Sequence, residues 1–132
     1  MRKTWLYLSL KRVWFRLIKS GVKKCEYREI TPYWIQRLLC VVGDKPVLKR
    51  VDKIYANELA KDIEWLKRQL STGKLKFKPF TDVMFTDGYP KKEDVDRHYG
   101  TRVNYIDIGK VNPEWAPLDV PKDREFFRIW IR

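Results

Sequence analysis

The sequence contains few of the residues that bind transition metals. It has two cysteines, Cys25 and Cys40, and a single histidine, His98. No C-x-x-C spacing occurs, so we expect no zinc site or other metal, and nothing in the sequence calls for a cofactor. Two thiols in a chain with this much apolar sequence favour reduced, buried cysteines over a disulfide.

Long hydrophobic runs are also missing. The apolar stretch near the start of the chain is interrupted by Lys11 and Arg12. Neither a signal peptide nor a membrane span is therefore predicted, and we expect a cytoplasmic protein with no membrane partner. The length of 132 residues fits one domain, residues 1–132, that buries its own core. Nothing in the sequence indicates an oligomeric state.

Acidic residues are scarce in the N-terminal part of the chain. Residues 1–28 contain nine Lys or Arg and one acid, Glu26, and so carry +8 of the formal net charge of +12. Residues 81–100 show the opposite balance, with five acidic and three basic residues. A concentrated positive charge attracts polyanions, so RNA or an anionic nucleotide is the expected partner. An acidic protein partner is the alternative.

Aromatic residues, in contrast, are abundant, with six Trp, seven Tyr and six Phe. This composition favours a β-rich or mixed fold over a helical bundle. Alternation over residues 4–10 predicts a strand with Leu6, Leu8 and Leu10 on one face. Similar patterns predict strands at 23–29, 80–86, 102–108 and 125–131. Helices are predicted over residues 11–20 and 53–72. A further helix is predicted to begin at Pro32, with Thr31 as its N-cap.

The remaining segments carry weaker signals. Residues 40–51 are predicted to form a loop or short hairpin, 74–78 a strand edge or linker, and 91–100 a loop. The order of elements shows no regular β-α alternation, which argues against a doubly wound sheet. The predicted fold is α+β: a small mixed β-barrel of about five to six strands with about three helices packed around it and a helical insertion at about 40–78.

A dense group of charges, Lys23, Lys24, Glu26 and Arg28, follows Gly21 between two apolar segments. In a binding site, the cations would hold phosphate while Glu26 accepts from a base amino group or orients Arg28. In a catalytic site, Glu26 would be the base and a lysine the oxyanion partner. If these charges form only surface ion pairs, each pair would contribute on the order of 0 to 1 kcal/mol to the stability of the fold.

Lys23 and Glu26 are three residues apart in the predicted strand 23–29. Regular alternation places them on opposite faces of that strand. If both face one cleft, a bulge or turn must lie near Lys24 and Cys25.

The pattern Gly21-x-Lys23-x-x-Glu26-x-Arg28, after a short helix and entering a strand, resembles the G-x-K-x-x-E-x-R signature of the ASCH (activating signal cointegrator homology) domain. That family belongs to the PUA-like superfamily of small β-barrels. Residues 8–11 resemble the opening of the family. Three later stretches resemble motifs of a bacterial and phage subgroup, in the same order: 26–28 with 31–34, then 85–89, then 108–109 with 112–115.

The resemblance implies a cleft beside the signature that binds RNA or a nucleotide. Loop positions make Tyr89 and Trp115 candidates for the cleft wall. The full set of candidate ligand-binding residues is Lys11, Gly21, Lys23, Lys24, Glu26, Arg28, Tyr89 and Trp115.

The resemblance also implies an alternative function. Some small relatives are amidohydrolases that deacetylate an acetylated cytidine, and others are linked to RNA cleavage. In the deacetylating relatives the signature reads G-x-K-x-x-T-x-R, and the lysine activates the threonine. Lys23 and Glu26 occupy the matching positions and would be catalytic only if the protein is a hydrolase. Because a glutamate lacks the nucleophilic hydroxyl, we expect binding in preference to catalysis.

Overall fold

Eight strands and four α-helices make up residues 2–44 and 47–132, the part of the chain described by this computed structural model. The strands are β1 Trp5–Leu10, β2 Cys25–Arg28, β3 Leu39–Val42, β4 Leu48–Arg50, β5 Leu75–Phe77, β6 Asp82–Asp87, β7 His98–Lys110 and β8 Glu125–Ile131. The helices are α1 Arg12–Lys19, α2 Pro32–Leu38, α3 Lys53–Lys61 and α4 Ile63–Ser71, with short 3-10 turns at Val95–Arg97 and Pro113–Trp115.

Five strands form the main sheet in the order β1-β6-β7-β8-β2, curled into a half-barrel with helices packed around it. β1 and β6 are parallel, and the other neighbours are antiparallel. The long strand β7 pairs first with β6 and then with β8, and its register shifts between Val103 and Tyr105. A bulge of this kind bends the strand and allows the sheet to curl. The predicted α+β class with a small barrel-like sheet is confirmed.

The core lies on the concave side of the half-barrel. Leu6, Leu8 and Leu10 of β1 are buried, as their alternation predicts, and α1 adds Phe15 and Ile18. Burying a leucine side chain stabilises the fold by about 1.5–3 kcal/mol relative to leaving it exposed. This burial fixes which face of β1 points inwards. β1 is also an edge strand of the main sheet.

A second sheet, with the order β4-β3-β5, lies within the segment predicted as a helical insertion. The hairpin interpretation of residues 40–51 is confirmed by the antiparallel pairing of β3 with β4, although residues 45–46 fall outside the described residues. The 74–78 segment contributes β5 as the third strand. The segment is therefore mixed, with α3 and α4 beside three short strands.

The single helix predicted over 53–72 is wrong, because the chain forms two helices that meet at Asp62. Asp62 has φ −141° and ψ 89°, outside helical values, and its carboxylate accepts a hydrogen bond from Trp65 N at 3.0 Å. An aspartate that caps a new helix competes with continuation of the old one. The apolar spacing continues across the break and hides it.

The prediction of a loop over 91–100 is also partly wrong. β7 begins at His98, which pairs with Thr86 of β6. The extra strand residues are recruited by this non-local pairing and carry little local signal. Over the described ranges, no helix is both long and apolar enough to cross a membrane.

Candidate ligand-binding cleft

A cleft of about 300 Å³ lies where the two edge strands of the half-barrel, β1 and β2, approach each other. Its charged lining residues are Lys11, Lys23, Glu26, Arg28 and Glu29. Most of the remaining lining is apolar or aromatic: Leu10, Trp14, Tyr27, Val111, Trp115, Ala116, Pro117, Val120 and Phe126.

Lys23 enters the cleft from the turn that precedes β2. Gly21 has φ +85°, a left-handed conformation that glycine adopts without strain, and Lys23 N then bonds to Leu17 O at 3.0 Å. β2 begins only at Cys25, so the predicted strand start at residue 23 is wrong. Because Lys23 lies in the turn before β2, strand alternation does not place it opposite Glu26, and both side chains face the cleft. This is the turn near Lys24 and Cys25 that the sequence requires if the two residues share a cleft.

The Glu26 carboxylate lies between two cations. Lys23 Nζ donates to Oε1 at 2.9 Å, and Arg28 Nη1 donates to Oε2 at 2.6 Å. The backbone N–H of Tyr27 also donates to Oε1, at 3.0 Å. Lys23 is 2% exposed and Glu26 6% exposed, so the hydrogen bond between them is buried and charge-assisted, whereas the charge-assisted bond from Arg28 is part-buried.

Burial alone would raise the pKa of Glu26, but the charges of Arg28 and Lys23 outweigh it and hold the pKa below its ordinary value. Glu26 is therefore ionised at neutral pH. Both of its oxygens already accept hydrogen bonds. It is arranged to position two cations and has little capacity to take a proton.

The Lys23 ammonium also contacts aromatic faces. Its Nζ lies 4.6 Å from the ring centre of Trp14 and 5.7 Å from that of Tyr27. Cation–π attraction of this kind helps to keep a charge at a site with little water. An ammonium has three N–H donors and Glu26 takes one, so Lys23 can still donate to a ligand.

Arg28 bridges the two edge strands. Its Nη2 donates to Ser9 O on β1 at 2.9 Å, and its Nη1 also donates to Tyr27 O at 2.9 Å. The guanidinium carbon lies 5.2 Å from the ring centre of Trp34. With its donors distributed in this way, Arg28 fixes the distance between β1 and β2 and so the width of the cleft.

Tyr27 anchors the opposite wall. Its hydroxyl accepts a hydrogen bond from Asn112 N at 2.9 Å, and burial raises its pKa to about 12. The Asn112 side chain in turn accepts from Glu114 N and begins the turn that carries Trp115. This chain of contacts places Trp115 against the cleft.

The structure brings five of the eight candidate residues together and leaves three apart. Lys11, Lys23, Glu26, Arg28 and Trp115 line the cleft. The residues that do not line it are Gly21, Lys24 and Tyr89. Lys24 is exposed, because it lies between the inward-facing Lys23 and the start of β2, and Tyr89 is 93% exposed on a turn.

Two aromatic residues that line the cleft, Trp14 and Tyr27, are not among the eight candidates. Trp14 follows Lys11 by three residues, and residues at that spacing lie on the same side of a helix. Since Lys11 is a candidate, this spacing could have predicted that Trp14 lines the cleft. Tyr27 alternates away from Glu26 along β2, and nothing local indicates that its hydroxyl reaches Asn112. Within the described ranges, no group of three potential metal ligands occurs.

Comparisons with known proteins provide no ligand by analogy. No family model matches the chain, and neither does any curated protein or any solved structure. A function must therefore be inferred from the cleft and from the charges around it.

Proposed function

We propose that this protein is a PUA-like binding module of the ASCH type whose cleft binds a nucleotide or one unpaired base of an RNA. The observation that carries the proposal is the buried Lys23–Glu26–Arg28 group beside an aromatic wall. A fixed, partly unsatisfied ammonium next to flat rings suits a ligand that has both hydrogen-bond acceptors and a π-face.

The size of the cleft supports a small, flat ligand. About 300 Å³ is at the lower end of the range for small-molecule sites, roughly 300–1,000 Å³. Trp14 and Trp115 offer surfaces for stacking, which contributes about 1–3 kcal/mol per base. Lys23 would donate to a carbonyl or ring nitrogen of the base, and the exposed Lys11 would meet a phosphate at the rim.

The charge state of Glu26 supports binding over hydrolysis. A general base works best when its pKa is near the operating pH, whereas Arg28 and Lys23 hold the pKa of Glu26 below its ordinary value. Lys23 donates to the same carboxylate at 2.9 Å, and position 26 carries no hydroxyl that could act as the nucleophile.

Titration with the four ribonucleoside monophosphates and with short RNA, followed by tryptophan fluorescence, tests this proposal. We expect Trp115→Ala to weaken binding by roughly tenfold, which corresponds to loss of one stacking surface. Tyr89→Ala is the matched control, because it removes an exposed aromatic residue outside the cleft and should bind like the wild type. Equal affinity of Trp115→Ala and the wild type, or no binding by any of these ligands, would refute the proposal.

Incubation with acetylated cytidine and with labelled RNA addresses the hydrolytic alternative. We expect both substrates to be recovered intact. Turnover by the wild type that is abolished in Glu26→Gln would instead assign Glu26 a catalytic role.

A further inference from the structure

The outer face of the small sheet carries a group of cations. Cys40 of β3 pairs with Arg50 of β4 on one side and with Lys76 of β5 on the other. Residues directly opposite one another on neighbouring strands project from the same face of a sheet. Lys78 follows the end of β5 and lines a groove together with Cys40 and Arg50, so it lies at the same face. We call Arg50, Lys76 and Lys78 the basic sheet face.

No acidic partner neutralises this group. Across residues 2–44 and 47–132, none of the three side chains makes an ion pair or a side-chain hydrogen bond. Burial, and then the charges of Arg50 and Arg37, lower the pKa of Lys78. Like charges held close together without a counter-ion disfavour the compact state, so an anion bound here would relieve the repulsion.

Cationic and aromatic side chains lie along the outer edge of β1, between the basic sheet face and the cleft. Arg28 donates to Ser9 O at 2.9 Å, and Arg37 donates to Tyr7 O at 3.4 Å. The ring of Trp34 lies between the two guanidinium groups, at 5.2 Å from the carbon of Arg28 and 5.9 Å from that of Arg37. Cationic groups therefore follow the strand edge outwards from the cleft.

A second groove, of about 250 Å³, lies at the other end of this line. It is lined by Thr4, Cys40, Leu48, Lys49, Arg50, Lys78, Pro79 and Phe80. Thr4 immediately precedes β1, whereas Ser9 and Leu10 at its far end line the cleft. Five residues of extended chain separate Thr4 from Ser9 by about 17 Å. The two concave sites are thus at opposite ends of one strand.

Exposed aromatic rings occur along the same path. Tyr7 is 58% exposed on β1, and Tyr33 is 61% exposed at the start of α2. Tyr33 also packs edge-on against Trp34, with ring centres 5.0 Å apart. A positively charged track with interspersed aromatic rings is typical of surfaces that bind single-stranded nucleic acid, because unpaired bases can stack on the rings.

We propose that a single-stranded nucleic acid lies along the edge of β1, with its phosphates on Arg37 and the basic sheet face and its bases against Tyr7 and Tyr33. The inference rests on the proposed function in one respect, since one end of the strand occupies the cleft. A duplex does not fit this arrangement, because its bases are paired and cannot stack on the tyrosines.

A length series tests the inference. Affinities are measured for a mononucleotide, for single-stranded RNA and DNA of increasing length, and for a duplex, each at several salt concentrations. The variant Arg50→Gln/Lys76→Gln/Lys78→Gln removes the basic sheet face. Its matched control, Lys61→Gln/Lys91→Gln/Lys92→Gln, removes the same charge from exposed positions elsewhere.

We expect wild-type affinity to rise with length until the path is spanned. The basic-sheet variant should lose roughly tenfold or more on the longer strands, and its slope of log affinity against log salt should fall by about 2, for three phosphate contacts. Its mononucleotide affinity should not change. Its melting temperature should equal or exceed that of the wild type, because three uncompensated like charges have been removed.

Several outcomes would overturn the inference. Equal losses in the control variant would show a general charge effect, and tighter binding of the duplex would exclude the single-stranded path. Competition by an acidic peptide as effective as that by RNA would point to a protein partner. If a mononucleotide binds but longer strands bind no better, the cleft proposal stands and this inference fails. If only longer strands bind, and the basic-sheet variant binds them more weakly, the path along β1 stands and the cleft proposal fails.

Discussion

Replacing Glu26 by glutamine tests whether the buried carboxylate holds the site together. Removing one partner of a buried ion pair costs about 3–5 kcal/mol, because the remaining charge is left uncompensated. Here two cations lose their partner, and one of them, Lys23, is 2% exposed. Glutamine keeps one carbonyl acceptor, and Arg28 keeps its bonds to Ser9 O and Tyr27 O. We therefore expect the lower end of the range, about 3 kcal/mol.

A loss of about 3 kcal/mol is large beside a total stability of about 5–15 kcal/mol. For a chain of this length it should lower the melting temperature by about 10 °C. Urea unfolding at neutral pH, followed through the fluorescence of the six tryptophans, measures the free energy directly. The control is Glu58→Gln, which removes a 59%-exposed carboxylate paired with Lys61 at 3.6 Å and should cost less than about 0.5 kcal/mol.

The pH dependence gives a second, independent check. The folded-state pKa of Glu26 is lowered, so its ionic contribution is fully present above the ordinary value of 4.5 and is lost as the pH falls through the lowered value. The stability difference between the wild type and Glu26→Gln should therefore be largest at neutral pH and narrow in acid. A loss no larger than that of Glu58→Gln, or a difference that does not change with pH, would refute this account of the site.

Two further predictions concern groups outside the ion-paired cluster. Burial raises the pKa of the Cys25 thiol to about 12, so a thiol-reactive reagent at neutral pH should label Cys25 only as fast as the protein unfolds; rapid labelling of the native protein would contradict this. Asp62→Ala should destabilise the protein by about 1 kcal/mol, measured by urea unfolding, because the cap on Trp65 N is lost. A gain in stability, together with more helical circular dichroism, would mean that Asp62 merely interrupts a continuous helix.

The sequence predicts those elements whose apolar pattern is decided by a single buried face. β1 and β8 are found within one or two residues of their predicted positions. A shift of register by one residue would turn the leucines of β1 towards the solvent, and likewise Phe127 and Ile129 of β8. The small sheet lacks such a pattern. Its strands have three or four residues, and Cys40 pairs with Lys76 at a separation of 36 residues, which no local signal encodes.

The site shows the same division between local and non-local information. Lys23, Glu26 and Arg28 lie within six residues of one another in the sequence. The structure contributes the turn at Gly21, which brings Lys23 beside Glu26. The cleft walls come from positions far apart in the chain. Trp14 and Trp115 line the same cleft, and neither position alone indicates this.

The balance of charge in the cleft connects stability with binding. Lys23 and Arg28 share one carboxylate, so the buried group carries an excess of one positive charge. Arg28 makes two hydrogen bonds to backbone carbonyls besides its bond to Glu26, whereas Lys23 has one acceptor and two aromatic faces. Lys23 therefore keeps two N–H donors that can reach a ligand inside the cleft. A ligand acceptor at that position would complete its hydrogen bonding without displacing Glu26, which is why we regard Glu26 as the residue that prepares the site and Lys23 as the one that meets the ligand.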